Sequence, residues 1–191
     1  MNVTVDKPSK VWTEQELQAL PEDGYIHEVV QGELVMSPKN NLEHGEICVR
    51  LLTALRQFAE ARRLGVVLDS STGFWMVNRN CRAPDISFVS KDRLRGLRRP
   101  PKTFFQGAPD LAVEILAPSS TPKDIAERLR DFFDSGTRLA WVIHPDREFV
   151  EICHSLTDRK ILGSGGQLDG LTVLPGFQYP IADLFKGWDW D

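Results

Sequence analysis

Pro109-Asp110-Leu111-Ala112-Val113-Glu114-Ile115-Leu116 reads as a strand that opens on a proline and carries two acids on one face. Proline fixes φ and has no amide hydrogen, so it suits a strand entry or edge, and pairing begins beside it. Side chains alternate along a strand, which places Asp110, Ala112, Glu114 and Leu116 on one face and Leu111, Val113 and Ile115 on the other. Glu114 therefore sits mid-strand among apolar neighbours, where an unpaired ionised carboxylate costs several kcal/mol and is normally paired or metal-bound. A second pair, Pro84-Asp85, opens Ile86-Ser87-Phe88-Val89 in the same way. If Asp85 faces Glu114 from a neighbouring strand, two anions ~5 Å apart repel by about 3 kcal/mol at an effective dielectric of 20. A divalent cation relieves that repulsion, and hard oxygen ligands favour Mg²⁺ or Mn²⁺ over Zn²⁺. Taken singly, either acid is more simply a salt-bridged or solvent-edge carboxylate.

Downstream, Thr121-Pro122 starts a helix with proline at its first position, Ile125, Leu129, Phe132 and Phe133 supply the buried side, and Gly136 ends it. Strands follow at Leu139 to His144 and Phe149 to His154, joined by Pro145-Asp146-Arg147-Glu148, and Leu171 to Phe185 closes the edge. Upstream, Thr13-Glu14-Gln15-Glu16 fits a capping box for a short helix that Pro21 terminates. Gln31-Gly32 is the turn of a hairpin between Tyr25 to Val30 and Glu33 to Met36. From Asn41 to Arg63, Ile47, Leu51, Leu55 and Phe58 recur at helical spacing, with His44 on the same stripe. Gly65 to Asp69, Phe74 to Val77 and Ala83 to Val89 are expected to form an antiparallel meander. The order of elements predicts an α+β fold with one curved mixed sheet flanked by helices.

The chain has 191 residues, the size of one domain on the usual prior, and residues 1–191 are read as a single domain with a core over about 12–186. With 41% hydrophobic and 26% charged residues it has material for a sizeable core. No apolar run approaches the ~20 residues of a membrane span, and Met1 to Lys10 contains no hydrophobic segment of signal-peptide length, so the expectation is a cytoplasmic protein. Cys48, Cys81 and Cys153 form no Cys-x-x-Cys pair and read as reduced, structural thiols. The net charge of −4 does not mark a nucleic-acid binder, but Lys91 to Lys102 holds six basic side chains against one acid, a local +5 that leaves −9 elsewhere. That asymmetry suits a phosphate-gripping loop beside an acidic cleft, or a solvated connector.

Several features together resemble the Uma family: Glu28 in His27-Glu-Val-Val-Gln-Gly-Glu-Leu-Val-Met-Ser-Pro38, His44 near the start of the long helix, Pro84-Asp85, the Pro109 to Leu116 strand, the Arg128 helix with Gly136, Ala140-Trp-Val-Ile-His-Pro145 and Pro175-Gly-Phe177. The Uma family consists of restriction-endonuclease-like proteins of the PD-(D/E)XK nuclease superfamily. The resemblance spans about residues 12 to 186 and implies a restriction-endonuclease-like core with the site where the central strands diverge. By position, Asp85 matches the superfamily's metal-binding aspartate and Glu114 the acid of its D/E-x-K element. Asp110 is a further ligand or outer-shell candidate. The chain departs from the family at the lysine: two residues after Glu114 stands Leu116, and the helical position that is usually lysine in Uma relatives is Arg128. Lys123, in the first turn of that helix, is a candidate substitute or a solvated surface residue.

The reaction so implied is Mg²⁺- or Mn²⁺-assisted hydrolysis of DNA phosphodiesters. Asp85 and Glu114 would hold metal, and Arg128 would neutralise charge in the transition state. His44 would orient water or contact phosphate, or else is a hydrogen-bonded core histidine. Glu28 is a ligand or an anchor. A homodimer would suit double-strand cleavage, and Trp188 and Trp190 in the tail are candidates for self-association. Two other readings stay open: a catalytically degenerate member of the fold that binds nucleic acid or protein, and a sugar hydrolase using Asp85 and Glu114 as an acid/base pair.

Overall fold

A computed structural model describes residues 10–21 and 23–190. Met1 to Ser9, most of the opening stretch read above for a signal segment, lie outside the described residues. In chain order the elements are α1 (Glu14–Gln18), β1 (Ile26–Val30), β2 (Glu33–Ser37), α2 (Leu42–Ala61), β3 (Gly65–Asp69), β4 (Phe74–Trp75), β5 (Cys81–Arg82), β6 (Ile86–Ser90), β7 (Phe105–Gln106), β8 (Leu111–Ile115), α3 (Pro122–Asp134), β9 (Leu139–His144), β10 (Phe149–Cys153), β11 (Arg159–Gly163), β12 (Gln167–Asp169), β13 (Gln178–Pro180) and α4 (Ala182–Phe185).

Local chemistry accounts for the element ends. Thr13 and Glu16 form the reciprocal capping box of α1. Asn41 accepts from the His44 amide at the start of α2, and Thr121 from the Asp124 amide at the start of α3, with Pro122 in the first turn. Gln31 and Gly32 have φ of 52° and 83°, the two positive values that a two-residue type I′ hairpin requires.

The central sheet runs β11-β10-β9-β8-β6-β3, antiparallel except for the parallel β8/β9 pair that α3 connects. Its odd-numbered β8 residues Leu111, Val113 and Ile115 pack with Ile47, Leu51 and Leu55 of α2. On the opposite face Ala112 packs with Leu129 and Phe132 of α3. The two faces of β8 are thus both covered, which is why nearly every residue in it is apolar. Glu114 is the exception, and it points to the α3 face.

The meander expected over Gly65 to Val89 does not form. β3 pairs directly with β6, while β4 and β5 join a separate five-stranded sheet of order β2-β1-β5-β4-β7. Phe74 is fully buried against the α3-side core, so burial of this ring draws the segment away from β3. The single sheet expected is therefore two sheets plus the small β12/β13 ribbon, and β11 and β12 lie in a stretch from which no strand was expected. Among the described residues, no helix is long and apolar enough to cross a membrane.

The three cysteines are free. Burial pushes the Cys48 thiol up to about 11, with the charges of Asp85 and Asp69 adding to the rise, and pushes Cys81 up to about 12 and Cys153 to about 11. At pH 8 the Cys48 thiolate fraction is then roughly a hundredfold below that of an ordinary cysteine. Ellman's reagent is expected to label the native protein at least that much more slowly than the unfolded chain, which exposes all three thiols. Rapid native labelling of one thiol would contradict this.

Candidate active site

The β6/β8 register pairs Ile86 with Val113, so one step further Asp85 stands opposite Glu114. Pro84 supplies no amide hydrogen at the strand entry, and Asp85 turns its carboxylate to the neighbouring strand, where Oδ2 accepts from the Ile115 amide at 2.7 Å. His44 Nε2 lies 3.2 Å from the same oxygen and 3.1 Å from the Asn40 side-chain amide. The first turn of α2 therefore holds an imidazole against Asp85.

Glu114 meets α3. Arg128 Nη2 lies 2.9 Å from Glu114 Oε1 and donates to the Ala83 carbonyl at 3.0 Å, while Nη1 donates to Glu28 Oε2 at 2.6 Å. The contact with Glu114 is a close buried ion pair, and the Arg128 Nε has no hydrogen-bond partner among the described residues. Glu28 accepts from the Ala83 amide at 2.7 Å and lies 3.6 Å from Arg82, whose Nε is bound to Asp131 at 2.6 Å. Asp131 also accepts from Asn78 and Asn80.

These groups line or underlie one cleft of about 440 Å³ between the β1–β2 hairpin, the α2 start and α3. Four carboxylates (Glu28, Asp85, Glu114 and Asp131) face two guanidiniums (Arg82 and Arg128), which leaves two negative charges uncompensated before His44 is counted. The cluster answers by holding a proton. Burial pushes the Glu114 carboxyl up to about 8; Arg128 opposes the rise, and Asp85 and Glu28 add to it. Burial works against the Arg128 charge too, but Glu114 and Glu28 outweigh it and keep the guanidinium protonated.

Residues 14–182 match the Uma2 family, described as "Putative restriction endonuclease". The chain belongs to the Uma2 family. Its fold is similar to the crystal structure of "a putative nuclease belonging to DUF820 from Anabaena variabilis ATCC 29413", with a TM-score of 0.78 at 20% identity over 91% of this chain and 97% of that one. No curated protein matches it.

In this Uma2 chain Glu28, His44, Asp85, Glu114 and Arg128 converge on the cleft, and two residues singled out from the sequence do not. Asp110 shares the face of Glu114 but lies four strand positions, roughly 13 Å, away. Its carboxylate accepts from the Ser90 amide at 2.8 Å and from Arg138 Nε at 3.1 Å, tying the end of β6 to the start of β9. It is an anchor, outside the reach of a metal shared with Glu114. Lys123 has a side chain 83% exposed, lies 3.9 Å from Glu127 on the solvent side of α3, and is not among the residues lining the cleft. The basic segment is also displaced. It begins at Lys91, beyond the far end of β6 from Asp85, about 20 Å along the strand, and so does not border the acidic cleft.

Arg82 and Asp131 were not read from the sequence as part of the site. Asp131 had a usable signal, since it lies three residues after Arg128 on the buried side of α3. Arg82 had none: it sits in a two-residue strand with no period to read.

Proposed function

We propose that the chain is a metal-dependent nuclease that hydrolyses phosphodiester bonds of DNA in the cleft between Asp85 and Glu114. The observation that carries this reading is the charge imbalance of the buried cluster, together with a Glu114 carboxyl that burial holds up to about 8 opposite Asp85. A divalent cation satisfies both conditions. No group of three or more His, Cys, Asp or Glu side chains suited to a metal occurs among the described residues. The pair Asp85 and Glu114 suits Mg²⁺, which is commonly held by one or two carboxylates, with water and substrate phosphate completing its shell.

Asp85 and Glu114 would hold the ion, which when bound polarises a phosphate oxygen and lowers the pKa of a coordinated water. The Ile115 amide fixes Asp85 Oδ2 in place, and His44 Nε2 lies 3.2 Å from that oxygen. Glu28 and the Ala83 carbonyl fix Arg128, a permanent cation that cannot take a proton from water. Arg128 therefore serves as a positioning counter-charge to Glu114, and proton transfer falls to water or His44.

The second reading, a catalytically degenerate binding module, is favoured by one observation: both terminal nitrogens of Arg128 are occupied by protein acceptors. Mn²⁺ calorimetry on wild type, Asp85→Ala and Glu114→Ala, with and without a DNA duplex, separates the two. The nuclease reading expects binding in wild type that disappears in both variants. Because the ion must replace the Glu114 proton, affinity should rise with pH from 6 to 8, approaching tenfold per unit at the lower end, and level off above. A folded wild type that binds no Mn²⁺ even with the duplex overturns the nuclease reading.

A further inference from the structure

The cleft that holds Asp85 and Glu114 does not stop at the loop after β8. Ala117, Ser120 and Ile125 line it and also line a second cleft of about 350 Å³. The two are neighbours because β8 and β9 are parallel, with Glu114 beside Val142 and Ile115 beside Ile143, so both strands end at the same edge of the sheet. Crevices outside the carboxyl ends of parallel strands are where ligands settle in open α/β sheets. The second cleft continues past the end of β9 to β10 and β11, through His144, Glu151 and Arg159. From β8 to β11 the distance is about 14 Å at the usual strand spacing, or roughly four phosphate repeats of a stacked strand.

The two clefts differ in which cations are free. In the first, Arg82 and Arg128 are engaged by Asp131, Glu28 and Glu114. In the second, Glu151 is engaged by His144 at 2.8 Å and Arg159 at 3.5 Å, and Asp146 is exposed to water. Arg147 is exposed and forms no ion pair among the described residues, so it is the cation of this groove left to meet an anion. Beside it Leu116, Ile125 and Pro145 make an apolar bed.

We propose that the second cleft is a binding subsite for the nucleotide next to the scissile phosphate: Arg147 contacts that nucleotide's phosphate and the apolar bed takes its base. The proposal rests on the nuclease reading of the first cleft and adds the path of the strand. It places the substrate across the loop after β8, away from the basic segment at 91–102.

The test is fluorescence anisotropy of a labelled 12-nucleotide single DNA strand at several salt concentrations, on wild type and Arg147→Ala, with Mn²⁺ calorimetry on both. Losing one phosphate contact should lower the slope of log K against log salt by about 0.7 and weaken binding about three- to tenfold near 0.1 M salt. Mn²⁺ affinity should stay at the wild-type value, since Arg147 lies outside the first cleft. Binding by Arg147→Ala with the wild-type slope overturns the subsite and leaves the nuclease reading standing. An Arg147-dependent slope in a protein that binds no Mn²⁺ with or without DNA overturns the nuclease reading and keeps the anion site. A wild type that does not bind the strand at all overturns the subsite.

Discussion

Arg128→Met is expected to lower the free energy of unfolding by about 3–5 kcal/mol, the usual consequence of removing one partner from a buried charge pair. Methionine fills much of the same volume, so the loss reports charge rather than a cavity. Arg128 touches Glu28 Oε2 at 2.6 Å and Glu114 Oε1 at 2.9 Å, and those residues are only 3% and 7% exposed. Without the guanidinium both carboxylates are stranded, and Glu114 can respond only by holding its proton more tightly. The sign of the pH dependence follows. A carboxyl whose folded pKa lies above its unfolded value contributes stability that is complete below the unfolded value and lost as pH rises through the folded one. Glu114 already behaves this way in wild type, with a folded value near 8. Removing Arg128 pushes the folded value higher still and carries the loss to higher pH, so urea denaturation should show a larger deficit at pH 8 than at pH 5.5. Adding Glu114→Gln to Arg128→Met should recover part of the loss at pH 8, because an amide stays neutral in the buried site without taking up a proton. A deficit below about 1 kcal/mol at both pH values would mean that the pair behaves as a surface contact.

On the proposed nuclease reading, Asp85→Asn should reduce Mn²⁺-dependent DNA cleavage by about three orders of magnitude or more, roughly 4 kcal/mol in activation free energy, while moving stability by only about 1 kcal/mol. The asparagine keeps an oxygen for the Ile115 amide that Asp85 Oδ2 now accepts, so the strand junction survives while one of the two proposed metal carboxylates is lost. Plasmid nicking assayed with and without EDTA, beside a denaturation curve, measures both quantities. Cleavage by Asp85→Asn above a tenth of the wild-type rate would remove Asp85 from the reaction, and EDTA-insensitive cleavage would return attention to an acid/base pair that works without metal.

Much of the scaffold was legible because it is written in local periods. The capping box of α1, the Gln31-Gly32 turn, the stripe of α2 and the Pro122 start of α3 each depend on residues within a turn or two, and each formed where its spacing indicated. The placement of Glu114 on a different face from Val113 followed from alternation alone. The meander failed because pairing partners are not a local property: Gly65 to Asp69 reads equally well beside either following strand, and the burial of Phe74 in the α3-side core decides between them. The displaced basic segment failed for a related reason. Composition records how many charges a segment carries, while the direction of β6 decides at which end of the sheet they emerge.

The sequence by itself determined the types of the longer elements, the two Pro-Asp strand entries, the membership of Asp85 and Glu114 in one ordered pattern, and the arginine where Uma relatives usually carry lysine. Tertiary structure alone decided that Asp110 anchors Ser90 and Arg138, that Lys123 faces water, and that Arg82 and Asp131 support Glu28 from beneath the cleft. The division has one physical cause. Backbone propensity and side-chain alternation act over a few residues and can be read along the chain, whereas the energy of a buried charge depends on every other charge within several ångströms, and those neighbours come from β1, β5, β6, β8 and α3 only once the chain has folded.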